Sequence, residues 1–118
     1  MKDILEQLNR SVGINGTAVV TRDGIPVMSR MPHGADEDKM AAIGSSLILS
    51  IVRSLGTLPQ QEVQSLWVEG SRGRILLVNA GPVYLLVVTD PKINLDTTML
   101  DIKSAAGRLE RAVTMDTL

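Results

Sequence analysis

Apolar positions along the chain change period several times, and each change marks an element. Ile4, Leu5, Leu8 and Val12 fall at helical spacing among Lys2, Asp3, Glu6, Gln7 and Arg10, which predicts a short amphipathic helix from Met1 to Val12, ended by Gly13. From Gly16, the β-rich run Thr17-Ala18-Val19-Val20-Thr21 and the run Ile25-Pro26-Val27-Met28 flank Asp23-Gly24, the signature of a hairpin. Pro26 lacks an N–H, so its strand belongs at or near a sheet edge. Pro32 and Gly34 mark a loop, after which Asp36, Glu37 and Asp38 supply the negative charge that favours a helix start. A long helix is expected from there to about Leu55, with Arg53 complementing its dipole, Gly56 placed for a left-handed cap and Pro59 preventing resumption.

Three more strands are expected at Glu62 to Glu69, Arg74 to Ala80 and Val83 to Thr89, joined by Gly70-Ser71-Arg72-Gly73 and by Gly81-Pro82. In the last two, Ile75 to Val78 and Leu85 to Val88 are apolar at odd and even positions alike, so both sheet faces are covered there and these strands are central. Asn94 is placed as an N-cap for a final helix carrying the stripe Leu95, Met99, Ile102, Ala106, Leu109 and Val113, weakened by about 1 kcal/mol at Gly107. The order is helix, two strands, helix, three strands, helix (α-β-β-α-β-β-β-α), a single α/β (α+β) domain over residues 1–118 without internal repeat or linker.

The second helix is the most informative segment. Placed on a wheel, Lys39, Ser46, Ser50 and Arg53 gather on one narrow side. Met40, Ala41, Ala42, Leu47, Ile48, Leu49, Ile51, Val52 and Leu55 sweep roughly 220° of the rest, about twice the arc that one sheet face requires. A second surface must cover the excess, and the same helix from another copy serves, because a two-fold axis makes one patch complementary to itself. The competing reading has the domain's own first or third helix cover it. Small residues Ala41, Ala42, Gly44, Ser45 and Ser46 permit close backbone approach on one side or another.

Composition narrows the function classes. With aromatics at 2% and no Phe, the core is built from Val, Ile, Leu, Met and Ala. The absence of Cys removes disulfides and thiolate chemistry, and the start of the chain lacks the pattern of an export signal, so a cytoplasmic address is expected. No apolar run approaches the roughly 20 residues that span a bilayer. Twelve basic and thirteen acidic side chains leave a formal charge of −1, which gives no long-range attraction to nucleic acid. His33, the only histidine, sits in the Pro32–Gly34 loop with no second ligand for a metal or partner for a triad. Asp36, Glu37 and Asp38 point in different directions at a helix start and suit the dipole better than an ion. Gly70-Ser71-Arg72-Gly73-Arg74 lacks the spacing and the Lys-Ser/Thr of a phosphate-binding loop and reads as a hairpin turn. No catalytic residue, cofactor or metal site is expected.

The element order, the Gly-x-x-Gly-turned first strand ending in Thr21-Arg22-Asp23-Gly24-Ile25-Pro26-Val27, the acidic loop leading into Met40-Ala41-Ala42, and the strand Tyr84-Leu85-Leu86-Val87-Val88 together resemble the roadblock/dynein light chain family over nearly the whole chain. That resemblance implies a five-stranded antiparallel sheet with the long helix on one face and the terminal helices on the other, related to longin and profilin-like folds. It implies homodimers in which the long helices pack across a two-fold and the third strands pair edge to edge. The interface would then comprise Met40, Ile43, Leu47 and Ile51 on the helix with Val63, Ser65 and Trp67 on the strand, and Arg72 and Arg74 would lie where an acidic partner surface is within reach. Trp67 reads equally as an interface anchor or as core under a helix, since alternation does not tell its face.

The resemblance further implies a non-catalytic module that binds and regulates or scaffolds a small Ras-like GTPase, by reshaping the GTPase's own site and not by an arginine finger. The chain ends soon after the third helix, without the C-terminal extension carried by some activating members. The alternatives are a small-ligand sensor of profilin-like fold, for which few polar residues converge on a pocket, and an adaptor or scaffold subunit of a larger complex.

Overall fold

The computed structural model describes residues 1–31, 37–58 and 62–116. Its elements follow the expected order: α1 (Lys2–Leu8), β1 (Ile14–Thr21), β2 (Pro26–Arg30), α2 (Glu37–Leu55), β3 (Ser65–Glu69), β4 (Arg74–Ala80), β5 (Val83–Thr89) and α3 (Leu95–Asp116). The strands form one antiparallel sheet in the order β2-β1-β5-β4-β3. β4 and β5, apolar at both parities, are interior strands, and Pro26 opens the edge strand β2 where its missing N–H costs no ladder bond.

Alternation divides the sheet between two cores. On one face Val19, Leu76, Val78, Leu85 and Val87 pack with Leu5 and Leu8 of α1 and with Ile102, Ala105 and Leu109 of α3. On the other, Ala18, Val20, Leu77, Tyr84 and Leu86 pack with Ile48 of α2. A fully buried Leu or Ile contributes about 1.5–3 kcal/mol through its removal from water. These long-range contacts, more than helix propensity, hold the short helices in place.

The small residues of α2 serve this inner packing. A side chain at Gly44 would meet Leu86 Cδ2 at 3.0 Å and Val20 Cγ2 at 3.6 Å. Ala41 and Gly44 are buried against the sheet, whereas Ala42 and Ser46 stay exposed.

Four boundaries depart from the sequence reading. The first helix stops at Leu8, and Val12 is 93% exposed, off any apolar stripe. Asn9 turns its side chain to the Arg30 carbonyl (3.2 Å), and Gly13 adopts φ +86, where any Cβ would strike Ile93 Cγ2 at 2.3 Å. β1 begins at Ile14 and not after Gly16, because Ile14 already pairs with Thr89. Gly56 is not left-handed: its N–H still bonds the Val52 carbonyl at 2.8 Å, and the hydroxyls of Ser54 and Thr57 take the carbonyls of Ser50 and Ser54. β3 starts at Ser65 and not at Glu62, Glu62 and Val63 being held by the Asn79 side chain while Gln64 keeps a backbone bond to Asn79. The Asn94 cap is present, its Oδ1 accepting from Thr97 N at 3.3 Å. The loop residues His33 and Asp36 and the proposed helix stop Pro59 lie outside the described residues.

Candidate functional site

α2 packs chiefly over β1 and β2, so the β4–β3 half of that sheet face lacks a helix lying squarely upon it. The side of α2 that looks across this half carries Met40, Ile43, Leu47 and Ile51, neighbours at helical spacing. Met40, Leu47 and Ile51 are half-buried at the margin of the core, while Ile43 is 39% exposed. Leu66 and Ile75 are half-buried on the strands opposite, and Val68 is exposed. Between the two walls runs an apolar trough, and at one end a small crevice opens between Ile51, Val52, Val63, Leu66 and Tyr84. The charged and hydroxyl side predicted by the wheel, Lys39, Ser46, Ser50 and Arg53, faces water.

The outer wall of the trough is an edge strand, and its hydrogen-bonding pattern follows from the two ends of its ladder. Asn79 N donates to Gln64 O at 2.9 Å and Gly70 N to Gly73 O at 2.8 Å. Antiparallel pairs alternate, so Leu66 and Val68 also direct their backbone groups to β4, and Ser65, Trp67 and Glu69 direct theirs outward. No side chain among the described residues is bonded to those outward groups.

The opposite edge of the sheet is partly covered, at its C-terminal end, by the chain itself. The Ser29 carbonyl accepts from Arg30 Nη1 at 2.7 Å and the Arg30 carbonyl from Asn9 Nδ2 at 3.2 Å. Met31 N donates to Glu37 Oε1 at 3.2 Å, and Pro26 has no N–H to offer. The β2 edge thus carries partial cover, and the β3 edge carries none among the described residues.

Register settles the face of Trp67. It stands opposite Leu76, whose side chain belongs to the core under α1 and α3, so Trp67 lies on that face, 45% exposed, and not on the face of α2. Ser65 shares its face by alternation and is exposed. Val63, expected at the interface, is buried in the chain's own α2-side core, because the segment before Ser65 tucks beneath the helix. Arg72 is exposed in the β3–β4 turn. Arg74 is engaged within the hairpin, its Nη2 lying 2.7 Å from Glu69 Oε1. The strand residues that line the trough, Leu66 and Val68, escaped the sequence reading. The signal for them is the pairing of β3 with β4, which one strand read alone does not contain.

Electrostatics add one feature beside the crevice. A hydrogen bond from Arg22 and that residue's positive charge hold the Glu62 carboxyl below the usual glutamate range, with Asn79 assisting and desolvation opposing. Among the described residues no three His, Cys, Asp or Glu side chains gather as a metal ion would require, and no helix is long and apolar enough to cross a membrane. The surface is therefore apolar, hydrogen-bonding along one edge and suited to recognition.

The comparisons with known proteins agree with this architecture. The Roadblock/LC7 domain matches residues 1–90. Three uncharacterised proteins of Methanocaldococcus jannaschii are each 31% identical over 107 residues, covering 91% of this chain and 94%, 94% and 91% of theirs. The fold is similar to that of a Roadblock/LC7 domain from Streptomyces avermitilis, with TM-score 0.80, 18% identity, and coverage of 97% of this chain and 98% of that one. It is similar also to Myxococcus xanthus MglB, with TM-score 0.84, 17% identity, and coverage of 96% and 86%. Acanthamoeba castellanii profilin II is more distant at TM-score 0.54, 16% identity, and coverage of 85% and 87%. Matched over most of its length by the domain and at 31% identity to whole relatives, the chain belongs to the Roadblock/LC7 family.

Proposed function

We propose that the chain is a non-catalytic homodimeric module that acts in the cytoplasm by binding a small Ras-like GTPase, which it regulates or scaffolds. The observation that carries the dimer is the trough together with the open β3 edge: an apolar patch whose rim presents unpaired backbone donors and acceptors is complementary to a second copy of itself. A two-fold through Trp67 would set Ser65 of one chain opposite Glu69 of the other and use all of β3. Pro26 and the partial cover on β2 favour β3 as the edge that pairs.

The GTPase half of the reading rests on membership of the Roadblock/LC7 family and on the absence of a nucleophile–base pair in the sequence, which favours a regulator over an enzyme. Likeness in fold to MglB, named in one structure a gliding protein, is in keeping with it. The test is binding of the purified chain to the Ras-like GTPases of the same genome, loaded with GTP or with GDP. Binding that prefers one nucleotide state, or that changes the rate of hydrolysis, is expected. Absence of binding to either state in every case would overturn the GTPase assignment and leave the dimer reading standing.

A further inference from the structure

At one end of the sheet a single guanidinium fastens three segments. Arg22, just after β1, donates from Nε to the Gly81 carbonyl at 2.7 Å, pairs through Nη2 with the Glu62 carboxylate, and lies over the Tyr84 ring with its Cζ 5.8 Å from the centroid. Asn79 completes the knot. Its Nδ2 donates to Val63 O at 3.0 Å and reaches Glu62 Oε1 at 3.5 Å, while its Oδ1 accepts from Gly81 N at 2.8 Å. Residues 62–64 are thereby tied to the β4–β5 turn from two directions.

What the knot holds is the entry to β3. That strand has only five residues and neither α2 nor α3 packs substantially over it, so where it begins is set by its pairing with β4, by the burial of Val63 and by the knot. Val63 and Tyr84, joined by the knot, also line the crevice at the end of the trough. If residues 62–64 swing away, Val63 leaves the crevice and the open edge loses its starting point. Val63 and Tyr84 also belong to the α2-side core, so such a swing uncovers the margin of that core while the core under α1 and α3 stays closed.

We propose that Arg22 is a positioning residue for the partner-binding surface: through Glu62 and Gly81 it fixes the start of β3 without itself meeting the partner. The inference rests on the reading of the trough and edge as the dimer interface. Arg22 and Glu62 keep 42% and 47% of their side chains exposed, and ion pairs of that exposure contribute little to global stability. The ion pair itself therefore adds little to folding, and what the knot governs is where residues 62–64 lie. Lysine at position 22 keeps the charge but must serve both acceptors from one nitrogen, where arginine uses Nε for the Gly81 carbonyl and Nη2 for the Glu62 carboxylate.

The test compares wild type with Arg22→Gln, Arg22→Lys, Glu62→Gln and the Arg22→Gln/Glu62→Gln double variant. The readouts are dimer Kd by sedimentation, amide hydrogen exchange along β3, and melting temperature. Arg22→Gln is expected to weaken the dimer by about tenfold, two knots being broken per pair, and to speed exchange at Leu66 and Val68, with a melting temperature lowered only modestly by the loosening of Val63 at the core margin. Glu62→Gln should do the same, the double variant should add little, and Arg22→Lys should recover only part. A folded Arg22→Gln protein with wild-type Kd and wild-type exchange overturns the proposal. So does one that loses melting temperature while dimerising normally, for the tie is then structural only. If Arg22→Gln does not fold, Glu62→Gln carries the same comparison. If the wild type stays monomeric, the interface reading has failed, and exchange at Leu66 and Val68 alone decides the role of Arg22.

Discussion

Ile43→Glu separates assembly from folding. Ile43 belongs to neither core and keeps 39% of its surface in water, on the side of α2 that overlooks the open half of the sheet. Burying an isoleucine completely is worth about 1.5–3 kcal/mol, so covering the remaining fraction contributes about 0.6–1.2 kcal/mol per chain and twice that per pair. Glutamate forfeits this term and brings two carboxylates to a seam that loses water, at a cost of several kcal/mol for each ion. A total of at least about 4 kcal/mol corresponds to roughly a thousandfold loss of dimer affinity. The monomer gives up only an exposed side chain, and its circular dichroism and cooperative melting should persist. Ile48→Glu is the contrast, since Ile48 is 3% exposed and a charge there should abolish folding. Size-exclusion chromatography with light scattering reads both outcomes. An Ile43→Glu protein that remains fully dimeric, or one that unfolds as Ile48→Glu does, would refute the reasoning.

Three further outcomes are expected. Trp67 is the only tryptophan, so its emission should shift to the red and its quenching by iodide should rise as the protein is diluted through its dimer Kd; emission indifferent to concentration would argue against pairing at β3. Gly24→Ala should lower stability by about 1–3 kcal/mol and the melting temperature by several degrees, because Gly24 holds φ +87 and a Cβ there would sit 3.1 Å from Leu49 Cγ and 3.3 Å from the Ser45 carbonyl; an unchanged melting curve would contradict that geometry. Glu62 has its pKa depressed in the folded chain, so what it contributes is complete above the ordinary glutamate value and is lost as pH falls through the lowered one; carbon-detected NMR titration should show the depression in wild type and its removal in Arg22→Gln.

The architecture was legible where residues are used on both faces or not at all. Leu85 to Val88 and Ile75 to Val78 admit only interior positions, Pro26 admits only an edge, and the width of the α2 girdle announces more apolar surface than β1 and β2 cover. What escaped was set by contacts far apart in the chain. The first helix ends early because Asn9 bonds the Arg30 carbonyl and Gly13 rests on Ile93, neither of which periodicity registers. At Gly56 the expected left-handed cap gives way to a continued helical bond to the Val52 carbonyl, with the Thr57 hydroxyl taking the Ser54 carbonyl. β3 is shorter than expected because Glu62 and Val63 are claimed by the side chains of Arg22 and Asn79. Of the residues expected at the interface on the strand, Ser65 and Trp67 lie on the face of α1 and α3 and Val63 is buried beneath α2, whereas Leu66 and Val68 line the trough. Only the register with β4 distinguishes these, and a single strand does not carry it.

Sedimentation equilibrium of the unmodified chain across a dilution series tests the account most directly. A mass of about twice 12.7 kDa at micromolar concentration, dissociating to single folded chains on dilution and stopping at two on concentration, is the expected result. A well-folded species of 12.7 kDa at every concentration would contradict it, for the open face of α2 and the edge of β3 would then have no copy to cover them.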